Sequence, residues 1–263
     1  MMEVKTDSQA GVALVAKAFQ ILDLFQPDSR TWSQAEIIRA TGLNRSTVNR
    51  LVRFLAVQGY LTQMAQSGRY SLGLSAIELG NRANAGFDLR AICQPAMEEL
   101  AAEVNETVVL SALDTGKMVA TCIDQIEGRR EGLRVFERIG STFPLHAGAG
   151  PKAILAFLPE DLRINCIQGV LERFTANTLT TPAALSDDIL QIRARGYALS
   201  DAETYEGTIG IAAPILGPAD IVIGSIAVAL PQHRATSDVV DDIANRISIT
   251  TRTVSGILNG DQQ

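Results

Sequence analysis

Between Leu43 and Tyr60 the chain carries side chains that could read a nucleic acid. Ser46, Asn49, Arg50 and Arg53 fall at i, i+3, i+4 and i+7, which is one face of a helix. That face holds no carboxylate. Arginine can bond guanine bidentately and asparagine can bond adenine, while the hydroxyls of Ser46 and Thr47 suit phosphate oxygens. Arg45 stands at the start of the same stretch. On the other side Val48, Leu51, Val52 and Leu55 repeat the spacing as an apolar stripe. A solvated surface helix would show the same periodicity, so its neighbours must decide.

Those neighbours build a scaffold. A first helix is expected over Val12 to about Phe25, with Val15, Phe19, Leu22 and Phe25 as its apolar face and Pro27 beyond its end. Ser33-Gln-Ala-Glu36 is a capping box: the hydroxyl satisfies an orphan amide and the carboxylate reaches back. A second helix then runs to about Ala40 and buries Ile37. Gly42 can take the positive φ that ends it, and Asn44 can cap the third helix. Tyr60–Gln63 and Arg69–Leu72, joined by a small polar loop, read as a β-hairpin, with Arg69 placed to touch DNA backbone or minor groove. Helix, helix, turn, basic helix, hairpin is the order of a winged helix-turn-helix. A three-helix protein-interaction module would pack the same way but leaves the basic face unexplained.

Net charge supports the division of labour. The whole chain of 263 residues carries −6, unpromising for a nucleic-acid binder. Residues 12–73 hold one lysine and six arginines against three carboxylates, whereas residues 74–263 hold 15 basic and 24 acidic side chains. A basic head on an acidic body fits a separate DNA-binding domain. The 46% hydrophobic content argues against global disorder. No apolar run reaches the roughly 18–20 residues of a membrane span, and the polar N-terminus lacks a signal-peptide core. Three widely spaced cysteines, Cys93, Cys122 and Cys166, fit reduced thiols in a cytoplasmic protein. No membrane partner is expected.

Residues 1–11 are expected to be flexible, residues 12–73 to form the DNA-binding domain and residues 74–87 a linker helix. Residues 88–260 would form a second domain. Within the linker Ser75-Ala-Ile-Glu78 repeats the capping pattern, and Asp88 can cap the helix that follows, which Pro95 should kink or whose start it should displace. Strands are expected at Thr107–Leu113, Met118–Asp124, Leu133–Ile139, Tyr197–Ser200, Thr208–Ile215 and Ile221–Leu230. Helices are expected at about Glu160–Ile167, Ala183–Arg195 and Ser237–Leu258, the last with Val240, Ile243, Ile247, Val254 and Ile257 inward. The result is an α/β (α+β) body with a mostly antiparallel sheet. Its most suggestive segment is Phe143-Pro-Leu-His-Ala-Gly-Ala-Gly-Pro-Lys. Small residues there permit close approach to the amides opening a helix that runs to Leu158, where a ligand carboxylate would fit. A tight packing turn is the alternative.

Catalytic sets are wanting. There is no G-x-S-x-G elbow, P-loop or H-E-x-x-H. His146 could pair with Asp201 as base and orienter, but no nucleophile stands at a recognisable position, and His233 reads as a loop residue. Cys122 and Cys166 have apolar neighbours and read as core. No cofactor and no metal is expected. The rival reading from another class is a metabolic enzyme with an N-terminal helical interaction module.

The residues also carry a resemblance. Ser33-Gln-Ala-Glu-Ile, Thr41-Gly-Leu-Asn-Arg-Ser-Thr-Val-Asn-Arg-Leu-Val and Gly59-Tyr-Leu stand in the head. Pro144-Leu-His-Ala, Lys152-Ala-Ile-Leu-Ala, Arg195-Gly-Tyr-Ala-Leu-Ser-Asp-Ala-Glu, and Gly207 leading into Ile211-Ala-Ala-Pro stand in the body. In this order and spacing, from about Val12 to Leu258, the chain resembles the isocitrate-lyase-regulator (IclR) family of bacterial transcription regulators. The resemblance implies a winged-helix head, a GAF-like effector domain, and binding of operator DNA as a homodimer or a dimer of dimers, with repression favoured. It implies a small-molecule effector, a carboxylate or aromatic acid. Its pocket would be lined by His146, Ala147, Gly148 and Ala149, by Ser200 and Asp201, by Thr208 and Gly210, and by Ala227 and Ala229. Arg134 would reach in too. One departure is Pro151, where the family has glycine; it removes one amide donor. The small side chains at Ala147, Ala149, Gly210, Ala227 and Ala229 suggest room for more than a two-carbon acid.

Overall fold

The computed structural model describes residues 5–26, 29–79, 89–128, 135 and 137–260, with side chains from residue 12. The chain divides into two units, Met1–Asp88 and Leu89–Gln263.

The first unit opens with α1 (Lys5–Leu22), which begins before the expected Val12. Its buried side differs from expectation. Ile21 and Phe25 enter the core, with Leu14, Ala18 and Leu22 partly buried, whereas Val15 and Phe19 are exposed. Both stripes have helical spacing, and only the packing partner distinguishes them. Ser33 caps α2 (Gln34–Thr41) through the full capping box, and Gly42 ends it at φ 68°. Asn44 then caps α3 (Arg45–Val57), its Oδ1 accepting from the Thr47 amide at 2.8 Å. Val48, Leu51, Val52 and Leu55 are buried against α1 and α2. Each such side chain contributes roughly 1.5–3 kcal/mol of burial. The wing is β1 (Leu61–Gln63) paired antiparallel with β2 (Tyr70–Leu72). Trp32 bridges to Tyr70 on its other edge. The linker is helical over residues 74–79, here α4. Its expected continuation, and the proposed cap Asp88, lie outside the described residues.

The second unit opens with α5 (Leu89–Val104), one continuous helix that contains Pro95. Then come β3 (Thr107–Asp114), β4 (Val119–Ile126), β5 (Thr142–Pro144), α6 (Ala149–Phe157), α7 (Glu160–Ile167), α8 (Pro182–Arg195), β6 (Ala198–Asp201), β7 (Thr208–Leu216), β8 (Val222–Pro231) and α9 (Ser237–Asn259). The strands form one sheet ordered β5-β4-β3-β8-β7-β6, antiparallel at every described pairing. The strand expected at Leu133–Ile139 falls partly outside the described residues. Residues 129–134 and 136 lie outside the described set, Glu137 and Arg138 are irregular, and the strand beside β4 is Thr142–Pro144. The short edge strand β5 is not among the strands expected from composition.

Strand alternation sends side chains to two cores. Val108 and Leu110, Ile209, Ile211 and Ile215, and Ile226, Val228 and Leu230 pack with α5 and α9. Ala212 and Ala198 face α6 and α8. On α9, Ile243, Ile247 and Val254 are inward as expected, but Ile257 is exposed and Thr251 is buried instead. No described helix is long and apolar enough to cross a membrane.

Candidate functional site

On α3 the caps leave the polar row outward. Arg45, Ser46, Asn49, Arg50 and Arg53 are exposed and Thr47 is half-buried. The Ser46 hydroxyl donates to Asn44 Oδ1 at 2.9 Å, and the first turn holds no acidic residue. The result is a helix N-terminus with its positive dipole end and three outward guanidinium groups on one surface. Arg69 is engaged within the first unit. Its guanidinium binds Glu36 at 2.8 Å and donates to the Thr31 carbonyl at 2.7 Å and the Thr31 hydroxyl at 3.0 Å. This ties the wing to the start of α2. The Ser33 amide, Arg69 and the Ser33 hydroxyl together hold the Glu36 carboxyl down at about 2.

In the second unit the register lines up small residues beneath α6. Ser200 pairs with Gly210, Gly210 with Ala229, and Ala229 with Thr107; one row along, Ala212 pairs with Ala227 and Ala227 with Val109. Gly210 lets α6 lie close there: a Cβ would sit 3.0 Å from that of Ala149, which would have to give by a few tenths of an ångström. Gly148 has φ +90°, and a Cβ on it would come within 2.9 Å of the Thr204 hydroxyl. Between this floor and the start of α6 lies a cavity of about 80 Å³. Roughly 10–15 Å³ of such space holds one water, so a small organic molecule is the scale that fits. The Ala149 and Gly150 amides, in the first turn of α6, have no intrahelical acceptor, and Pro151 contributes none.

Lys152 lies in the next turn and is completely buried. Its ammonium donates to Asp188 at 2.7 Å, to the Leu199 carbonyl at 3.1 Å and to Glu203 Oε1 at 2.5 Å. Three donors meet three acceptors. The other Glu203 oxygen accepts the Gly148 amide at 3.2 Å. Burial raises the Glu203 carboxyl, and Lys152 pulls the other way. Thr178 donates to the Glu203 carbonyl at 2.7 Å and Thr175 to that of Ala202 at 2.7 Å, which fastens this segment.

Of the residues expected around a ligand, Ala147, Gly148, Ala149, Ser200, Thr208, Gly210, Ala227 and Ala229 line the cavity. Arg134 lies outside the described residues. His146 and Asp201 are not in the wall. His146 is buried with Nε2 2.8 Å from the Glu172 carbonyl and its ring stacked on Phe174. A carbonyl only accepts, so that nitrogen carries the proton. Asp201 is exposed, one residue past Ser200 and hence on the opposite strand face, and accepts from Gln232 at 3.1 Å. The same two positions rule out the base-and-orienter pair considered from sequence.

Sequence reasoning missed Glu137, Phe143, Glu203, Thr204 and Tyr205, which also line the cavity. Glu203 belonged to a quoted motif. It turns inward because Ala202 adopts φ 52°, breaking the strand alternation, a conformation costing roughly 1–3 kcal/mol that surrounding bonds must hold. Glu137 is half-buried, and burial raises its carboxyl to about 7. Burial raises the thiols of Cys93 and Cys122 to about 12 and that of the half-buried Cys166 upward as well.

Residues 14–65 match the IclR helix-turn-helix domain, and residues 82–256 match the bacterial transcriptional regulator IclR C-terminal domain. The chain is 36% identical over 226 residues to the HTH-type transcriptional regulator KipR of Bacillus subtilis, covering 85% of this chain and 88% of that one. It is 29% identical over 232 residues to the transcriptional repressor IclR of Escherichia coli, covering 88% and 84%. An IclR homologue from Microbacterium hydrocarbonoxydans, crystallised with 4-hydroxybenzoate, superposes with a TM-score of 0.80 at 23% identity, over 93% of this chain and 99% of that one.

Proposed function

Because the chain belongs to the IclR family of bacterial transcriptional regulators, we propose that α3 reads its operator and that the cavity under α6 receives its effector. The protein is a ligand-responsive DNA-binding regulator and not an enzyme. The observation that carries the DNA assignment is the outward row of Arg45, Asn49, Arg50 and Arg53 on a helix whose other face is wholly in the core. Arg50 and Asn49 contact base edges, while Arg45, Ser46, Thr47 and Arg53 hold phosphates. Arg69 supports them by fixing the wing to α2 through Glu36.

The effector is a small organic acid, its carboxylate at the Ala149 and Gly150 amides. The structural neighbour with bound 4-hydroxybenzoate supports an acid of this type. A homodimer supports two-fold operator reading: Val12, Val15 and Phe19 form an exposed apolar stripe on α1 that a second copy would cover. Two α3 helices would then meet half-sites about one helical turn of DNA apart, or multiples of it. The chain acts in the cytoplasm, as a repressor like the Escherichia coli relative. Ligand shifts operator affinity only by binding one arrangement of the protein better than another.

Fluorescence anisotropy on random-sequence duplex tests the DNA assignment. The full chain should bind with affinity falling steeply as salt rises. Salt-independent binding, or none, would remove α3 as the DNA surface.

A further inference from the structure

The polar groups facing the cavity are of three kinds. Ser111, Ser200, Thr204, Tyr205 and Thr208 bring hydroxyls, which donate or accept and so discriminate little between ligands. Glu203 is engaged by Lys152 and the Gly148 amide. Glu137 differs from both. It stands in a wall made by Val135, Phe143 and Tyr205. Its own amide donates to Gln125 at 3.0 Å, but its carboxyl has no hydrogen-bond or ion-pair partner among the described residues. No cationic side chain lines the cavity among the described residues.

Above pH 7 the Glu137 carboxyl is ionised, and an ionised carboxylate accepts and never donates. Left half-buried without a donor it is costly, and a ligand that brings a donor removes that cost. A ligand carboxylate placed against it would instead meet like charge at short range. The ligand's own anion is better placed at the first turn of α6, where two amides are open and the helix dipole is favourable. We propose that Glu137 selects the effector: the ligand is a small organic acid that also carries a hydroxyl or amino group, donated to the Glu137 carboxyl while its carboxylate lies at Ala149 and Gly150. This rests on the cavity being the effector site.

Two matched pairs of probes test it by calorimetry on the full chain at pH 8, where Glu137 is ionised: propionate against 3-hydroxypropionate, and benzoate against 4-hydroxybenzoate. In at least one pair the hydroxylated member should bind about tenfold tighter or more, the scale of a hydrogen bond to a charged group. Glu137→Leu should bring that ratio to about one without weakening the unsubstituted acid, since an apolar side chain makes no demand for a donor. Glu137→Gln keeps an acceptor in place and should retain part of the preference, which serves if the leucine variant fails to fold. Equal binding within both pairs, or a preference that survives Glu137→Leu, overturns the role of Glu137 and leaves the cavity assignment standing. Binding unaffected by Ala149→Trp, which fills the cavity, overturns the site itself and this inference with it. So does failure of all four acids to bind.

Discussion

Arginines on α3 and carboxylates around the cavity of the second unit are arranged in opposite ways. Arg45, Arg50 and Arg53 face outward, where water solvates them until a polyanion arrives. Glu137 and Glu203 face inward, and burial raises both. In the first unit the structural ion pairing falls to Arg69 and Glu36, at the surface and closely bonded. In the second it falls to Lys152, fully buried between Asp188 and Glu203. The lesson concerns what each unit recognises. A phosphate backbone rewards loosely held external cations. A small organic molecule needs a dry cavity whose few polar groups are already placed.

The contrast can be broken from the inside first. Lys152→Met would leave Glu203 and Asp188 without their cation, and breaking such buried pairs typically costs about 3–5 kcal/mol. Differential scanning calorimetry should show the second unit's transition fall by roughly 10 °C, at about 2–4 °C per kcal/mol for a domain of this size. A first-unit transition that moved equally would show that the units do not hold their charges independently.

Glu137 gives a smaller effect with a definite sign. Its folded pKa of about 7 lies above the usual 4.5, so it favours the folded state below pH 4.5 and that contribution is lost as pH rises through 7. The full shift is worth at most about 3 kcal/mol. Glu137→Gln should therefore raise the melting temperature at pH 8 and leave it unchanged at pH 4. An equal change at both would mean that the carboxyl is solvated rather than cavity-facing.

The head should respond least. Ser33→Ala removes the cap of α2 at about 1 kcal/mol, read as a lower denaturant midpoint for the first unit. Glu36 is held at about 2, below the usual 4.5, so its contribution is present above pH 4.5 and lost as pH falls toward 2. Glu36→Gln should flatten that acid limb. A limb of unchanged steepness would point to other carboxylates.

The same contrast explains what could be read from the chain alone. The α3 face was legible because one helix carries it, and helical spacing plus a capping box and a following glycine are local signals. The small-residue floor was reached through motifs, but its completion was not. Glu137 lies in irregular chain, and Glu203 faces inward only through the left-handed turn at Ala202. Asp201 differs: the family motif sets it beside Ser200, whereas ordinary strand alternation turns it to the opposite face. The stripe of α1 was read one face round, because Val15 and Phe19 match the period as well as Ile21 does. Periodicity finds a face, and only a packing partner says which face is buried.

The most direct test of the account is operator recognition by α3. Duplexes selected from a random pool by the wild-type protein, titrated by anisotropy with Arg50→Ala, should show binding weakened by about 1–3 kcal/mol, the scale of one bidentate base contact. Binding to unrelated duplex should weaken less, and effector-induced stabilisation of the second unit should be unchanged. Selected-site affinity equal to wild type in a correctly folded Arg50→Ala variant would contradict the assignment of this helix as the DNA reader.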